Sequence, residues 1–359
     1  MRISLLRLVS ISYLLLPNLI FAAGWFRIEF ALLMIIGLSF LFWQEIKDYK
    51  QLKNKEGFTG KELVKLAGLA FVITGLTGIS GYSYQLFDYW AENAKFYDLF
   101  QSDWPLYFEE VDRYACYYFG YYFVPALLSK WIGELSLFSL FIWSWVGVFM
   151  LTAWIYFLTD KKIGRVIIVL AIGGVSENVK WLLAQLNGTD LLFSSEMGPA
   201  VITPLFQQLR WAPNQVIAAL MTASVLLYSL LWEKRYEKAF FSSCLCTVWC
   251  IFPTLILFVL FAAVSLYYLS KDGFRLFFKN NALTFSVCLL FLIPIAVYFA
   301  SSSGGTIHHF LLQVKRPKSA VPKLFLDIGL DWGVLLAVAC WFVSKRRTSS
   351  IIFRSIPLF

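Results

Sequence analysis

Long apolar runs recur along the whole chain and limit its folds more than any other feature. Of its 359 residues, 59% are hydrophobic and 19% are aromatic, a composition that excludes an ordinary soluble domain. An apolar run of about 20 residues crosses the hydrocarbon core of a bilayer as one helix, and the alternating segments of an outer-membrane barrel do not occur. The sequence therefore predicts an all-α, polytopic transmembrane helical bundle.

About ten membrane helices are expected from the lengths of these runs. They are predicted at residues 3–23, 25–43, 66–86, 136–158, 162–176, 213–232, 239–253, 254–271, 283–300 and 322–343. The first two form an N-terminal transmembrane hairpin, residues 1–43. The first run also fits a cleaved signal peptide, because Arg2 and Arg7 precede an apolar core that ends near Ala22. The second apolar run, which follows almost at once, favours an uncleaved helix.

The positive charges indicate how the chain is oriented in the membrane. The net charge is +9, but the basic residues fall mainly in short loops, which indicates membrane topology and excludes a nucleic-acid partner. Residues 44–65 hold six lysines and are predicted to form a cytoplasmic basic loop. A transmembrane core, residues 66–343, and a cytoplasmic tail, residues 344–359, follow. The core has predicted outer loops at 87–135, 177–212 and 301–321.

The first large outer loop contains a segment crowded with tyrosines, residues 114–133. If this segment crossed the bilayer, the next helix would place Lys161, Lys162 and Arg165 on the outer face, against the charge rule. We therefore predict a juxtamembrane helix that lies in the interface, where tyrosine rings are well accommodated.

The same loop concentrates acidic side chains between two apolar runs. Its carboxylates are Asp88, Glu92, Asp98, Asp103, Glu109, Glu110 and Asp112. Asp88 falls where the helix 66–86 should leave the membrane, and partial desolvation there increases the electrostatic effect of a carboxylate on a bound group. Asp88 is thus a candidate general base or metal ligand, and the alternative is a solvated charge at a helix end.

Basic groups in the other two outer loops are candidate phosphate ligands. Arg210 precedes Pro213, a residue that favours the first turn of a helix, and a helix N-terminus beside an arginine can bind an anion. Lys180 lies in the same loop, 177–212. The loop 301–321 adds a basic cluster, with His308, His309, Lys315, Arg316 and Lys318. The alternatives are ordinary helix capping for Arg210 and a tolerated loop for the basic cluster.

Three segments resemble the GT-C superfamily of integral-membrane glycosyltransferases. They are the outer-loop run DWPLYF at 103–108, the juxtamembrane run YYFGYYFVPALLSKWIG at 117–133, and RWAPNQ at 210–215. The resemblance implies transfer of a sugar from a polyprenyl-phosphate donor to a glycan, lipid or protein acceptor. It places the enzyme in the bacterial inner membrane, in contact with membrane lipids, with its active face outside the cytoplasm.

The resemblance also assigns roles to particular residues. It implies catalytic carboxylates at Asp88 and Glu92, in a run that lacks the Lys-His found in many members. The implied donor-phosphate ligands are Arg210, Lys180, His308, His309, Lys315 and Arg316. The implied substrate pocket contains Asp103, Trp104, Tyr118, Tyr121, Trp211, Asn214 and Gln215. These residues assign no particular cofactor, and Mg²⁺ or Mn²⁺ is the expected ion if Asp88 and Glu92 bind a metal.

Two other functions are compatible with the sequence. A transporter or flippase for a lipid-linked saccharide would carry charges in mid-membrane, and Asp327 and Asp331 lie one turn apart in the predicted helix 322–343. A non-catalytic membrane assembly subunit would use the outer loops to contact a partner and would tolerate Asp88→Asn.

Overall fold

The protein is described from a computed structural model, which covers residues 1–51, 56–173, 203–233 and 236–301, with two single glycines at 329 and 333. The chain divides into two compact units. The first contains the described parts of 1–160 and 209–303, and the second contains those of 161–208. All the side chains discussed below belong to the first unit.

The described helices are numbered in chain order. They are α1 Ile3–Trp25, α2 Ile28–Gln51, α3 Gly60–Leu76, α4 Tyr89–Gln101, α5 Gly120–Ile132, α6 Leu137–Leu158, α7 Ile163–Ala171, α8 Leu205–Trp211, α9 Pro213–Tyr228, α10 Tyr236–Leu245, α11 Ile251–Asp272 and α12 Phe274–Ala300. Two-residue strands β1 Tyr107–Phe108 and β2 Arg113–Tyr114 pair antiparallel. Short 3-10 turns lie at Ile79–Gly81 and Glu109–Val111, and a π turn lies at Ser229–Glu233.

Four described helices are long and apolar enough to cross a membrane, namely α1, α2, α6 and α12. Large apolar side chains on α2 and α12, such as Ile36, Ile293 and Val297, are more than half exposed. A soluble protein would not leave such continuous apolar faces in water, whereas lipid chains would cover them. The protein is therefore helical and suited to a membrane, with fewer such spans in the described residues than the ten predicted.

The helix bounds differ from prediction where local side chains extend or end a helix. Helix α2 continues through Gln51, into the predicted basic loop 44–65, because its charged residues find partners: the Lys47 ammonium lies 3.3 Å from the centre of the Trp43 ring. Helix α3 begins at Gly60 instead of residue 66, since Thr59 and Glu62 form a capping box. It ends at Leu76 because Gly78 adopts a left-handed conformation, with φ of 82°.

The predicted boundary between the helices 239–253 and 254–271, at Pro253, is wrong in position. The chain leaves helical geometry at residues 246–250, between α10 and α11, and Pro253 lies in the first turn of α11. Proline is tolerated there because the first N–H groups of a helix have no partner within it. Helix α5, at Gly120–Ile132, lies within the predicted juxtamembrane segment.

Aromatic rings fill the space between α1, α6 and the turn before α11. The ring of Tyr13 stacks on Trp143 at 4.0 Å and on Trp249 at 5.3 Å. Gly147 allows this close approach, since a Cβ atom there would lie 2.6 Å from the Tyr13 hydroxyl and 2.8 Å from Ile217. Such dense packing fixes the helices relative to one another.

Buried ion pairs join four elements near the N-terminus of α1. The Arg7 guanidinium lies 2.6 Å from the Glu45 carboxylate and 3.4 Å from that of Glu233. The Lys238 ammonium lies 3.1 Å from Glu45 and also contacts Asp48. We call these five residues the ion-pair cluster. It connects α1, α2, α10 and the π turn.

The acidic loop lies at the other end of α1. Phe58 donates a backbone hydrogen bond to Met1, so the segment before α3 is at the start of α1. Trp25, the last residue of α1, packs against Trp104 and Phe119. A helix of 23 residues is about 35 Å long. The lysine-rich and acidic segments are therefore separated by roughly one bilayer thickness.

Candidate functional site

Helix α4 buries one carboxylate of the acidic loop. Its buried residues are Tyr89, Glu92, Phe96 and Leu99, the spacing of one face of an amphipathic helix. This face packs against α5, where the ring of Phe96 meets that of Tyr122. Glu92 shares the apolar face of α4 and is only 8% exposed. A buried carboxylate is costly unless other groups bind it.

Three side chains from three helices donate hydrogen bonds to Glu92. The Tyr122 hydroxyl donates to Oε2 at 2.6 Å, and the Asn214 amide donates to the same atom at 3.4 Å. The Lys95 ammonium lies 2.7 Å from Oε1. The orientation of the Asn214 amide is set by its own Oδ1, which accepts a hydrogen bond from the Gln215 backbone N–H. A carboxylate has about four acceptor positions, so one remains for a further donor.

A second layer of tyrosines holds these groups in place. Lys95 lies over the Tyr117 ring, 3.9 Å from its centre, and Tyr117 stacks on Tyr118 with 3.9 Å between ring centres. The Gln215 amide donates to the Tyr118 hydroxyl at 3.0 Å. We call Glu92, Lys95, Tyr117, Tyr118, Tyr122, Asn214 and Gln215 the Glu92 cluster. Its residues come from α4, from α5 and the loop before it, and from α9, and together they form one polar centre.

Burial keeps the tyrosines of this centre protonated. The pKa of Tyr122 is raised well above its usual value because the phenolate would be desolvated and because the charge of Glu92 lies beside it. Burial likewise raises the pKa of Tyr117 and of Tyr118. The three hydroxyls therefore remain hydrogen-bond donors at neutral pH.

Arg210 lies near the cluster, in the short helix before α9. Its charge acts on Tyr89, where it opposes the rise in pKa that burial and Glu92 cause. The Nε atom of Arg210 is buried and has no hydrogen-bond partner among the described residues. Helix α9 begins at Pro213 without a side-chain cap. The Arg210 Nε–H is thus a donor near the start of α9 that could bind an anion.

Asp88 is placed differently from Glu92. It precedes the first residue of α4, is exposed, and makes no capping hydrogen bond with its side chain. It lies one helical turn from Glu92 in sequence, but only Glu92 reaches the buried cluster. Of the two carboxylates predicted to be catalytic, the structure thus presents Asp88 to solvent and encloses Glu92.

The predicted pocket residues divide into two groups. Tyr118, Asn214 and Gln215 belong to the Glu92 cluster, and Tyr121 is buried beside it, with its hydroxyl bonded to Ser144. The Trp104 ring packs on Trp25 of α1, and its indole N–H donates to the Leu99 carbonyl at 2.9 Å. Both are structural contacts of the acidic loop. Asp103 is exposed and Trp211 is half-buried. No contact described here brings Asp103 or Trp211 to Glu92.

Several predicted phosphate ligands lie outside the described residues. These are Lys180, His308, His309, Lys315 and Arg316. Their predicted roles stay predictions, as does the transporter hypothesis based on Asp327 and Asp331. Arg210 is the predicted phosphate ligand that the structure describes.

Glu92 does not fit a magnesium or manganese ligand in this arrangement. Its two oxygens already face an ammonium, a hydroxyl and an amide N–H, and the positive charge of Lys95 lies where a cation would bind. Among the described residues, no three His, Cys, Asp or Glu side chains are grouped as metal ligands.

Lys95, Tyr117 and Tyr122 were not among the predicted site residues. Lys95 follows Glu92 by three residues, a spacing that pairs charges on a helix, so the sequence contained a signal for it. Tyr122 and Tyr117 belong to a run of tyrosines whose members look alike in sequence. Only the packing of α5 against α4 selects Tyr122 to face Glu92.

No protein-family model matches the chain, and comparison with curated proteins and with solved structures found no match. The resemblance to the GT-C superfamily therefore depends on the sequence motifs alone. The activity that it implies is taken forward as a proposal.

Proposed function

We propose that the protein is an integral-membrane glycosyltransferase of about ten membrane helices, with the Glu92 cluster as its catalytic centre. It would transfer a sugar from a polyprenyl-phosphate donor to an acceptor hydroxyl. The observation that carries the proposal is the enclosed Glu92 carboxylate, held by Tyr122, Lys95 and Asn214 in a segment outside the long apolar helices.

The geometry of Glu92 suits a general base. Three of its acceptor positions are occupied and one is open, so an acceptor hydroxyl could donate to it. As the hydroxyl oxygen attacks the anomeric carbon, the bond from that carbon to the phosphate oxygen breaks and the hydroxyl proton passes to Glu92. Polyprenyl phosphate leaves with the electron pair. A positioned base of this kind contributes about 10²- to 10⁴-fold to rate.

The start of α9 is the proposed site for the leaving phosphate. Arg210, just before α9, offers a buried Nε donor that has no hydrogen-bond partner among the described residues. Charge that develops on the leaving group would be stabilised there. The same helix carries Asn214, which bonds to Glu92, so base and phosphate site are connected through one rigid element.

The charge distribution supports an outward-facing centre. The lysine-rich segment and the acidic loop are at opposite ends of α1, and the positive-inside rule assigns lysines to the cytoplasmic face. The Glu92 cluster would then lie at the outer face of a bacterial inner membrane. The donor's polyprenyl chain would remain in the bilayer, between lipid-exposed helices.

The test compares Glu92→Gln with Glu110→Gln, which changes an exposed carboxylate of the same loop. Each protein is purified in lipid nanodiscs and incubated with polyprenyl-phosphate glucose, mannose or arabinose, in the presence of membrane glycan extract. Release of polyprenyl phosphate is measured. We expect Glu92→Gln to lower the rate by about 10²- to 10⁴-fold and Glu110→Gln to leave it within about twofold.

Thermal unfolding of both variants controls for folding, because glutamine keeps the size of Glu92 and still accepts hydrogen bonds. A Glu92→Gln protein that unfolds like the wild type but releases polyprenyl phosphate at the wild-type rate would remove Glu92 as the base. Absence of release by the wild type with all three donors would refute the glycosyltransferase assignment for these sugars and favour transport or assembly.

A further inference from the structure

A concave cleft lies on the exposed side of the chain before and at the start of α4. Its volume is about 480 Å³, within the range of small-molecule sites in proteins. It is lined by Tyr84, Gln85, Leu86, Phe87, Tyr89, Trp90 and Asn93. Asp88 lies within the same run of residues, and Tyr89 is shared with the surroundings of Glu92.

Three aromatic rings in this cleft are almost uncovered. The exposed fractions are 77% for Tyr84, 85% for Phe87 and 80% for Trp90. Each ring offers a large apolar face to whatever fills the cleft. Aromatic residues placed together at a concave surface indicate a binding site more strongly than single exposed rings do.

The polar groups of the cleft are held in fixed positions. The Gln85 amide donates to the Gly78 carbonyl at 2.9 Å, and its oxygen accepts from the Asn93 amide at 2.9 Å. Gly78 is required there, because a Cβ atom would lie 2.5 Å from the Tyr84 carbonyl oxygen. The cleft thus combines preorganised amides with bare aromatic faces.

We propose that this cleft binds a saccharide, with a pyranose ring stacked on the exposed aromatic faces. A pyranose has a face of C–H groups, which matches an aromatic ring, and a rim of hydroxyls, which matches the side-chain amides of the cleft. The bilayer interface also attracts Trp and Tyr, but contact with lipid would not need the hydrogen-bonded amides of Gln85 and Asn93. Saccharide binding does not depend on glycosyl transfer; a role as the acceptor subsite rests on the proposed function.

The experiment uses 5-fluorotryptophan-labelled protein in lipid nanodiscs and ¹⁹F NMR. Resonances of Trp90 and Trp131 are assigned with Trp90→Phe and Trp131→Phe; Trp131 is equally exposed, at 85%, but does not line the cleft. The methyl pyranosides of glucose, galactose, mannose and N-acetylglucosamine are each added to about 10 mM, which would nearly saturate a site with a dissociation constant of about 1 mM. We expect the Trp90 resonance to shift with at least one sugar and the Trp131 resonance to stay.

Two variants test which groups recognise the sugar. Tyr84→Ala should weaken binding roughly 3- to 10-fold, the effect of losing one aromatic contact, and Asn93→Ala should weaken it by a similar factor. Arg27→Ala, an exposed change elsewhere, should leave the affinity within about twofold.

Three outcomes would overturn the proposal. They are a Trp90 resonance that none of the four sugars shifts, equal shifts at Trp90 and Trp131, or broadening of Trp90 by spin-labelled lipid headgroups that no sugar reverses. Binding of sugar by a protein that releases no polyprenyl phosphate would refute the glycosyltransferase proposal for the donors tested and leave the cleft proposal standing. Transfer of sugar by a protein that binds no sugar at Trp90 would refute the cleft proposal and leave the glycosyltransferase proposal standing.

Discussion

The ion-pair cluster predicts a large stability loss when the charge of Glu45 is removed. Arg7 is 2% exposed, and the side chains of Glu45 and Lys238 are each 4% exposed. One carboxylate oxygen of Glu45 thus neutralises two buried cations, at 2.6 and 3.1 Å. With an effective dielectric constant of about 20, each attraction is worth about 5–6 kcal/mol before desolvation is counted.

Desolvation cancels much of that attraction in the intact cluster, but the variant loses the attraction and keeps both cations buried. Breaking a buried pair in this way costs about 3–5 kcal/mol. We expect Glu45→Gln to be near the lower limit, because Glu233 still faces Arg7 and Asp48 still contacts Lys238. The side-chain volume is preserved, so the loss reports charge and not packing.

The assay is reversible unfolding by denaturant in mixed micelles, which gives the free energy of unfolding of each variant. Glu29→Gln is the matched control, since Glu29 pairs with Arg27 at 3.4 Å but both side chains are mostly exposed; its effect should be below about 1 kcal/mol. In a double-mutant cycle, Arg7→Met combined with Glu45→Gln should cost less than the two single changes together. Equal effects of Glu45→Gln and Glu29→Gln would refute this account of the cluster.

Two further predictions concern packing and pH. Gly147→Ala should destabilise the protein by about 1–3 kcal/mol, because its Cβ atom would lie within 3 Å of neighbouring side chains. Gly68→Ala should not destabilise it, because no atom lies within 4 Å of the added Cβ. Equal shifts of the melting temperature in the two variants would contradict the packing argument. Since the pKa of Tyr122 is raised, the stabilisation that its protonated hydroxyl gives the folded state is complete below about pH 10 and is lost as the pH rises further. Above that pH, the free energy of unfolding of Tyr122→Phe should fall less steeply than that of the wild type, and the two slopes should differ by about 1.4 kcal/mol per pH unit. Tyr114→Phe, an exposed control, should follow the wild type.

The helix bounds show which local signals a sequence carries. Thr59 and Glu62 form a capping box that is visible as a Thr-x-x-Glu pattern, and attention to it would have placed the start of α3 correctly. Gly78 likewise marks the end of α3. The continuation of α2 through Gln51 was harder to predict, because its charged last turns depend on Arg7 and Lys238, which lie far away in sequence.

The site was predictable only in part. The resemblance implies that Asp88 and Glu92 are catalytic carboxylates and that Tyr118, Asn214 and Gln215 line the pocket, and the structure places all of these except Asp88 in the Glu92 cluster. Which acid is enclosed could not be read from their spacing, since residues four apart lie on the same side of a helix. The start of α4 decides it: Asp88 precedes the helix and meets solvent, while Glu92 packs within it.

The sequence by itself determined that this is a helical membrane protein, and its charges predicted that the acidic and lysine-rich segments face opposite sides. That follows because lipid offers no hydrogen bonds, so apolar runs of bilayer length must form helices. Only the tertiary structure decided that Glu92, Tyr122 and Asn214 meet. They are separated by 30 and 122 residues, and contacts of that range depend on how α4, α5 and α9 pack, which no local pattern encodes.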